Sequence, residues 1–251
     1  MLLVIDAGNT HTVFGLWDGA DWSAIWRHQT DDAATEDQIA DFYLSLCRES
    51  SIEPKPEAVF CANVVPALTQ ALNLFATRWL DREIHFLEAS SAGISVLYDP
   101  PSAVGADRLA NAVAAKALHA IPAIVVDFGT ATTFDVVGPE GEYVGGSILP
   151  GPIVAMEALF SRAAKLPNVD IAAPKEAIGR DTRGSLQSGI VYGYVGAINF
   201  LAKKIKAELG ERATVIATGG LAKLFGPLCE EIDIVDERLT LNGIRLALEP
   251  R

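Results

Sequence analysis

The 251-residue sequence has few of the residues that stabilise disulfide-rich or zinc-binding folds. Its three cysteines lie far apart and form no CxxC pair, so neither a disulfide framework nor a zinc knuckle is predicted. It also lacks a long apolar run, because the least polar stretch, residues 144–156, is too short to cross a bilayer and contains two prolines. No basic leader or apolar signal segment precedes Asp6, and we therefore expect a cytoplasmic protein.

Positive charge is scarce. Lysine and arginine number 20 against 32 acidic residues, which gives a net charge of −12, and no basic run occurs. This balance argues against nucleic acid or an anionic membrane as a partner. An anionic substrate would have to be bound by backbone amides or by a few well-placed cations.

Several common catalytic motifs are missing. The sequence has no GxxxxGK[ST] loop, no two glycines separated by one residue, no GxSxG and no HExxH. P-loop ATPases, GxGxxG dinucleotide folds, protein kinases, serine hydrolases of the elbow type and zincins are therefore excluded. The four histidines are scattered without metal-ligand spacing, and only His11 lies in a turn of interest.

A repeat is present instead. The patterns of residues 2–15 and 124–135 each predict an apolar strand ending in Asp, a glycine-containing turn and a second β-rich run. Three pairs of residues coincide when the segments are aligned: Asp6 with Asp127, Gly8 with Gly129, and Thr12 with Thr133. The pattern predicts a β-hairpin in each half. Because the copies begin about half a chain apart, we expect two related domains, residues 1–118 and 119–251.

The rest of the chain alternates between helical and strand patterns, which predicts an α/β fold. We expect helices over 36–49 (behind a capping box at Thr35), 66–80, 106–118, 153–165, 186–209 and 241–248, and strands over 58–62, 84–87, 214–218 and 232–235. No flexible linker separates the halves, so we expect them to pack closely around a cleft.

An Asp at a strand end followed by a Gly/Thr turn suits phosphate chemistry. The carboxylate can hold a hydrated divalent cation, while turn amides and a Thr hydroxyl donate to phosphate oxygens. For a single copy, an Asx-type turn in a hairpin is the favoured interpretation. Two copies, with Gly219-Gly220 after a third strand, favour nucleotide binding, because glycine lets adenosine approach the backbone. The glycine pair alone also fits an ordinary strand-to-helix turn.

These features resemble the actin, sugar kinase and Hsp70 ATPase superfamily, whose fold is two tandem ribonuclease H-like domains with a nucleotide cleft between them. Within it, the chain resembles type III pantothenate kinase. The matching segments occur in family order: residues 6–10 (DAGNT), 105–108 (GADR), 127–133 (DFGTATT), 145–151 (GGSILPG), Thr182, and 187–189 (QSG).

The resemblance implies a reaction: ATP phosphorylates the 4′-hydroxyl of pantothenate, the first step towards coenzyme A. It implies Mg²⁺, a monovalent cation (K⁺ or NH₄⁺), and a homodimer whose site is completed across the interface. Asp107 matches the catalytic base, although it also suits a helix N-terminus electrostatically. The implied ATP-binding residues are Asp6, Ala7, Gly8, Asn9, Thr10, His11, Thr12, Val13 and Thr130. Asp6 is also expected near magnesium, and Asp127 matches the ligand of the monovalent cation.

The implied substrate-binding residues are Tyr98, Gly105, Ala106, Asp107, Arg108 and Thr182. Arg108 would pair with the pantothenate carboxylate, and Thr182 would come from the partner subunit. Other interpretations stay open: Arg108 as a surface arginine, Tyr98 as a packing residue, and Thr182 as a helix N-cap. The helix that carries three spaced glycines after residue 186 suits either the dimer interface or intrachain packing.

The sequence departs from the family pattern at two places. His11 stands where many relatives have Asn, which would change the pH dependence of a phosphate contact, and residues 147–149 alter packing. Two rival functions remain: a non-catalytic homologue acting as a regulatory factor, and a kinase of the same superfamily acting on another alcohol. A filament-forming ATPase is disfavoured because the chain is short. The three acids Asp6, Asp107 and Asp127 favour the enzyme.

Overall fold

The strands of the computed structural model, which describes residues 1–163, 166–167, 169–210 and 212–249, lie in two five-stranded sheets. The first contains β1 (Leu2–Ala7), β2 (His11–Trp17), β3 (Trp22–Gln29), β4 (Ala58–Asn63) and β5 (Ile84–Phe86), in the order β3-β2-β1-β4-β5. The second contains β6 (Ala123–Phe128), β7 (Ala131–Val137), β8 (Tyr143–Pro150), β9 (Thr214–Gly219) and β10 (Ile234–Val235), in the order β8-β7-β6-β9-β10.

The two sheets share one topology. In each, the first three strands form an antiparallel meander, and the fourth and fifth add in parallel beside the first. Both predicted hairpins, β1/β2 and β6/β7, are confirmed, as is the α/β class. β3 and β8 were not predicted as strands.

The register of the hairpins corrects one detail of the repeat. Ala7 pairs with Thr12 in the first hairpin, whereas Phe128 pairs with Thr132 in the second. The first turn is therefore one residue longer. The structural equivalent of Thr12 is Thr132, and the predicted equivalence with Thr133 is wrong, because a linear alignment ignores the extra turn residue.

The helices are α1 (Glu36–Glu49), α2 (Thr69–Phe75), α3 (Ala106–Leu118), α4 (Pro152–Arg162), α5 (Thr182–Leu209), α6 (Ala222–Phe225) and α7 (Leu239–Leu248). The capping box of α1 is formed as predicted, since Thr35 and Gln38 bond each other's backbone amides. The predicted helix 66–80 is a continuous helical segment in which α2 lies between a 3₁₀ and a π turn. Lys165, where the fourth helix was predicted to end, lies outside the described residues.

The chain divides into two compact units, residues 1–117 with 239–251, and residues 118–238. Residues 250–251 lie outside the described residues. The predicted second half ran to residue 251, but α7 packs in the first unit. Its Gly243 lies directly against the backbone of Ala110 in α3, and Asn242 accepts a hydrogen bond from the indole of Trp22 at 3.0 Å. None of the described helices is long and apolar enough to span a membrane.

Each unit has its own core on one face of its sheet. Leu3, Ile5 and Ala7 of β1 enter the first core, and Ile124, Val126 and Phe128 of β6 enter the second. Because side chains alternate along a strand, the acid between the last two core residues points to the opposite face. This places Asp6 and Asp127 at equivalent positions, away from the two cores.

Candidate active site

The turn after β1 is tight and open to solvent. The amide of Gly8 donates to the carbonyl of His11 at 3.1 Å, and a Cβ on Gly8 would lie 3.0 Å from that carbonyl oxygen. Asn9 and Thr10 at its tip are exposed. A tight turn whose tip is exposed suits a phosphate group, which backbone amides and hydroxyls can bind.

His11 begins β2 and is exposed. Partial burial is the larger cause of a lowered pKa for His11, and the positive charge of Arg27 is the smaller one. Its imidazole is therefore neutral at pH 7, and it adds no positive charge to the turn.

A cavity of about 550 Å³ borders this turn. It is lined by Asn9, His28, Gln29, Thr30, Asp31, Asp32 and Val65. Apart from Asn9, the sequence analysis identified none of these residues. His28 and Gln29 end the unpredicted strand β3, Thr30, Asp31 and Asp32 follow it, and Val65 follows β4. The short polar run after residue 29 was the available sequence signal.

Asp107 lies in the first turn of α3. The carbonyl of Gly105 accepts the amide of Leu109 at 3.0 Å, which starts the helix. A Cβ on Gly105 would lie 3.6 Å from the side chain of Val64, whose own amide donates to Ala7 at 3.0 Å. Asp107 is therefore held at the carboxyl ends of β1 and β4, the edge at which Asp6 lies.

The environment of Asp107 disfavours its ionised form. Burial raises the pKa of Asp107, and this effect exceeds the opposing contributions of the Arg108 amide, which donates to Oδ1 at 2.8 Å, and of the Arg108 guanidinium. A half-buried carboxylate with a raised pKa is a better proton acceptor than an exposed one. Arg108 is only 9% exposed, so its interpretation as a surface arginine is wrong.

The second unit repeats the arrangement around Asp127. The amide of Gly129 donates to Ala131 at 3.0 Å, and Thr130 is exposed at the turn. The carboxylate of Asp127 lies in space left by Gly219, whose φ is +87°. Gly219 is thus explained by packing against β6, whereas the Cα of Gly220 faces open space.

The other implied substrate residues are placed as follows. Thr182 is the first residue of α5 and is exposed, but the N-cap is Asp181, whose carboxylate accepts the amide of Gly184 at 2.7 Å. The N-cap interpretation of Thr182 is therefore wrong. Tyr98 is exposed in the loop before Pro101, and Ala106 is buried at the start of α3.

The fold and the site together define a class. Two units with the same mixed sheet, each with an Asp beside a glycine turn at the end of its first strand, have the actin-like ATPase fold of tandem ribonuclease H-like domains. Similar solved structures include a Campylobacter jejuni chain described as a Baf family transcriptional activator (TM-score 0.65, 20% identity, covering 98% of this chain and 97% of that one). Another is the ethanolamine utilization protein EutJ of Carboxydothermus hydrogenoformans (TM-score 0.57, 15% identity, 99% and 89%).

Sequence relatives then specify the family. The family model for type III pantothenate kinase matches residues 2–204. The type III pantothenate kinase of Anaeromyxobacter sp. (strain K) is 44% identical over 251 residues, which is 99% of each chain. That of Myxococcus xanthus (strain DK1622) is 45% identical over 248 residues, 98% of this chain and 97% of the relative. The chain belongs to the type III pantothenate kinase family.

Proposed function

We propose that this protein transfers the γ-phosphoryl group of ATP to the 4′-hydroxyl of pantothenate, with Asp107 as the general base. The placement of Asp107 carries this proposal: its half-buried carboxyl lies at the same sheet edge as Asp6 and the glycine turn, and burial raises its pKa. Family membership supports pantothenate as the acceptor.

The reaction balances with one proton acceptor. The 4′-oxygen forms a bond to the γ-phosphorus, the bond from that phosphorus to the β,γ-bridging oxygen breaks, and ADP leaves with those electrons. The Asp107 carboxylate accepts the hydroxyl proton. The protein must otherwise position the reactants and stabilise charge, which the amides and hydroxyls of residues 8–12 would do. Thr130 is also assigned to ATP.

The acidic residues fit the two cations that the family implies. Among the described residues, no cluster of three or more His, Cys, Asp or Glu side chains could form a metal cage. Mg²⁺ bound through nucleotide phosphates needs only one or two carboxylates, and Asp6 would supply one. Asp127 would bind K⁺ or NH₄⁺, as the family resemblance implies, with its carboxylate packed against Gly219 at the end of β9. Both ions would neutralise phosphate charge.

Pantothenate would be bound by residues around Asp107 and by a partner subunit. We assign Tyr98, Gly105, Ala106 and Arg108 to this role, with the guanidinium of Arg108 pairing with the substrate carboxylate. Thr182 would come from the second subunit of a homodimer.

The surface of α5 supports this dimer. A Cβ on its glycines Gly189, Gly193 or Gly196 would meet nothing within 4 Å, and Phe200 is 61% exposed on the same helix. α4 adds exposed Ile153, Val154 and Leu159. Such an apolar face typically marks an interface. Because the net charge is −12, we propose neither a nucleic acid nor a membrane as a partner. We also propose a cytoplasmic location.

ADP release tests the reaction directly. The purified protein is assayed with MgATP and pantothenate in potassium or sodium, beside Asp107→Asn and the matched exposed control Asp41→Asn. We expect pantothenate-dependent turnover that Asp107→Asn lowers roughly 10²–10⁴-fold and Asp41→Asn leaves unchanged. Absence of turnover from the folded wild type would refute the kinase. Turnover retained in Asp107→Asn would refute the base. ATP binding without turnover would favour the non-catalytic alternative.

A further inference from the structure

We propose that Thr30 is a positioning residue that fixes the phosphate-binding turn; this inference rests on the proposed function of that turn. Thr30 follows β3 and is 22 residues from Gly8 in sequence. Its hydroxyl donates to the carbonyl of Gly8 at 2.6 Å, and its amide donates to the carbonyl of Thr10 at 3.0 Å. One residue thus holds both ends of the Gly8–Thr10 segment.

A third hydrogen bond joins Thr30 to Thr12. We call the three hydrogen bonds of Thr30, to Gly8, Thr10 and Thr12, the Thr30 brace. The hydroxyls of Thr12 and Thr30 lie 3.0 Å apart. Since the single proton of the Thr30 hydroxyl is directed to Gly8, the Thr12 hydroxyl is the donor and Thr30 the acceptor. Thr12 is buried, so this bond also satisfies a hydroxyl that water does not reach.

The brace sets the direction of an amide that a phosphate would use. In a trans peptide the C=O and N–H groups of one plane point in opposite directions. Anchoring the Gly8 carbonyl to Thr30 therefore turns the Asn9 amide away from Thr30. Without the Thr30 hydroxyl, the Gly8–Asn9 peptide plane can rotate, and the Asn9 amide no longer points in a fixed direction.

The second unit shows that such a hairpin folds without the brace. Gly151 occupies the position equivalent to Thr30, because its amide donates to the Thr130 carbonyl at 2.9 Å. A Cβ there would lie 2.5 Å from the carbonyl oxygens of Gly129 and Thr130, so no side chain fits. Thr132, the equivalent of Thr12, is 0% exposed, and its hydroxyl has no hydrogen-bond partner among the described residues.

The hydroxyl brace is thus found at the turn of residues 8–11 and not at the equivalent turn that carries Thr130. It is not a general requirement of this hairpin, since the equivalent turn forms with glycine in place of threonine. Thr30 also lines the cavity beside Asn9, which places the brace next to the space a ligand would enter. Its removal should therefore weaken nucleotide binding more than it weakens the fold.

The test compares Thr30→Val, which keeps the shape and removes the hydroxyl, with Thr30→Ser, which keeps the hydroxyl. Steady-state KM values for ATP and pantothenate, kcat, and the Kd for MgATP are measured for each. Thr77→Val is the matched control, because its hydroxyl bonds a helix carbonyl of the same unit away from the turn. We expect Thr30→Val to raise KM and Kd for ATP about tenfold with the pantothenate KM unchanged, while Thr30→Ser and Thr77→Val stay within about twofold of wild type.

Each result supports or contradicts the positioning role of Thr30. Unchanged ATP affinity in Thr30→Val, or equal loss in Thr30→Ser, overturns the inference. If Thr30→Val does not fold, Thr30→Ala is measured against Thr30→Ser in the same way. If the wild type binds MgATP without turnover, the proposed kinase fails while the Kd values still test Thr30. A wild type that does not bind MgATP overturns both.

Discussion

The carboxylate of Asp127 occupies the space that a side chain on Gly219 would need. Gly219 ends β9 with a φ of +87°, beside Phe128 of β6. A Cβ there would also lie 2.7 Å from the Phe128 amide nitrogen. Both the backbone conformation and the close approach of β6 require glycine, because a side chain at position 219 would collide with the proposed cation ligand Asp127 and with the backbone of Phe128.

Gly219→Ala should destabilise the protein by about 1–3 kcal/mol, because the new methyl group meets backbone atoms and the φ is unfavourable for alanine. Gly220→Ala is the matched control, since nothing lies within 4 Å of its Cβ. Urea unfolding of both variants measures the difference. Equal stability would show that β6 and β9 can separate without cost.

Asp127→Asn should weaken the activation by potassium that we propose. Replacing the carboxylate with an amide removes the negative charge that attracts a monovalent cation. We expect the potassium concentration for half-maximal turnover to rise about tenfold, a change typical of losing one charged ligand contact. Asp6→Asn is the comparison, because it should alter the magnesium dependence instead. Identical potassium titrations for wild type and Asp127→Asn would contradict the assignment of Asp127.

Asp107→Asn should make the protein more stable at neutral pH. Because burial raises the folded-state pKa of Asp107, the folded state favours the protonated carboxyl. Its contribution to stability is full below the unfolded pKa of about 3.9 and is lost as the pH rises through the raised folded value. A neutral amide avoids this loss.

Thermal unfolding from pH 4 to pH 8 measures this effect. The Tm advantage of Asp107→Asn should grow with pH and vanish near pH 4, while the exposed control Asp41→Asn should show no such trend. A variant less stable than wild type at pH 8 would show that the ionised carboxylate is stabilised in the fold. That result would contradict the proposal that burial raises the pKa of Asp107 and so makes it a better general base.

Phe200→Glu should abolish the homodimer that we propose. Phe200 is 61% exposed on α5, the helix that begins with Thr182. A charge in an apolar interface costs several times more than it does at an exposed site. Light scattering should show a monomer, and turnover should fall because Thr182 of the second subunit is lost. Ile25→Glu, at an exposed apolar residue of β3, should remain a dimer. A Phe200→Glu dimer would place the interface elsewhere.

Local features of the sequence determined many elements of this fold. Thr35 and Gln38 mark the start of α1 because a capping box involves only neighbouring residues, and α3 has the predicted bounds 106–118. The apolar runs ending in Asp6 and Asp127 specified both hairpins, since strand alternation is also local. The same motifs indicated the family, and the family model and relatives confirmed it.

The tertiary structure decided what depends on distant residues. The brace of Thr30 on Gly8 spans 22 residues, and α7 joins the first unit through Gly243, which no local pattern could assign. One extra turn residue makes Thr132 rather than Thr133 the equivalent of Thr12. The physical reason is the same in each case: hydrogen-bond register and close backbone packing join segments that are far apart in sequence, whereas caps and alternation are complete within a few residues.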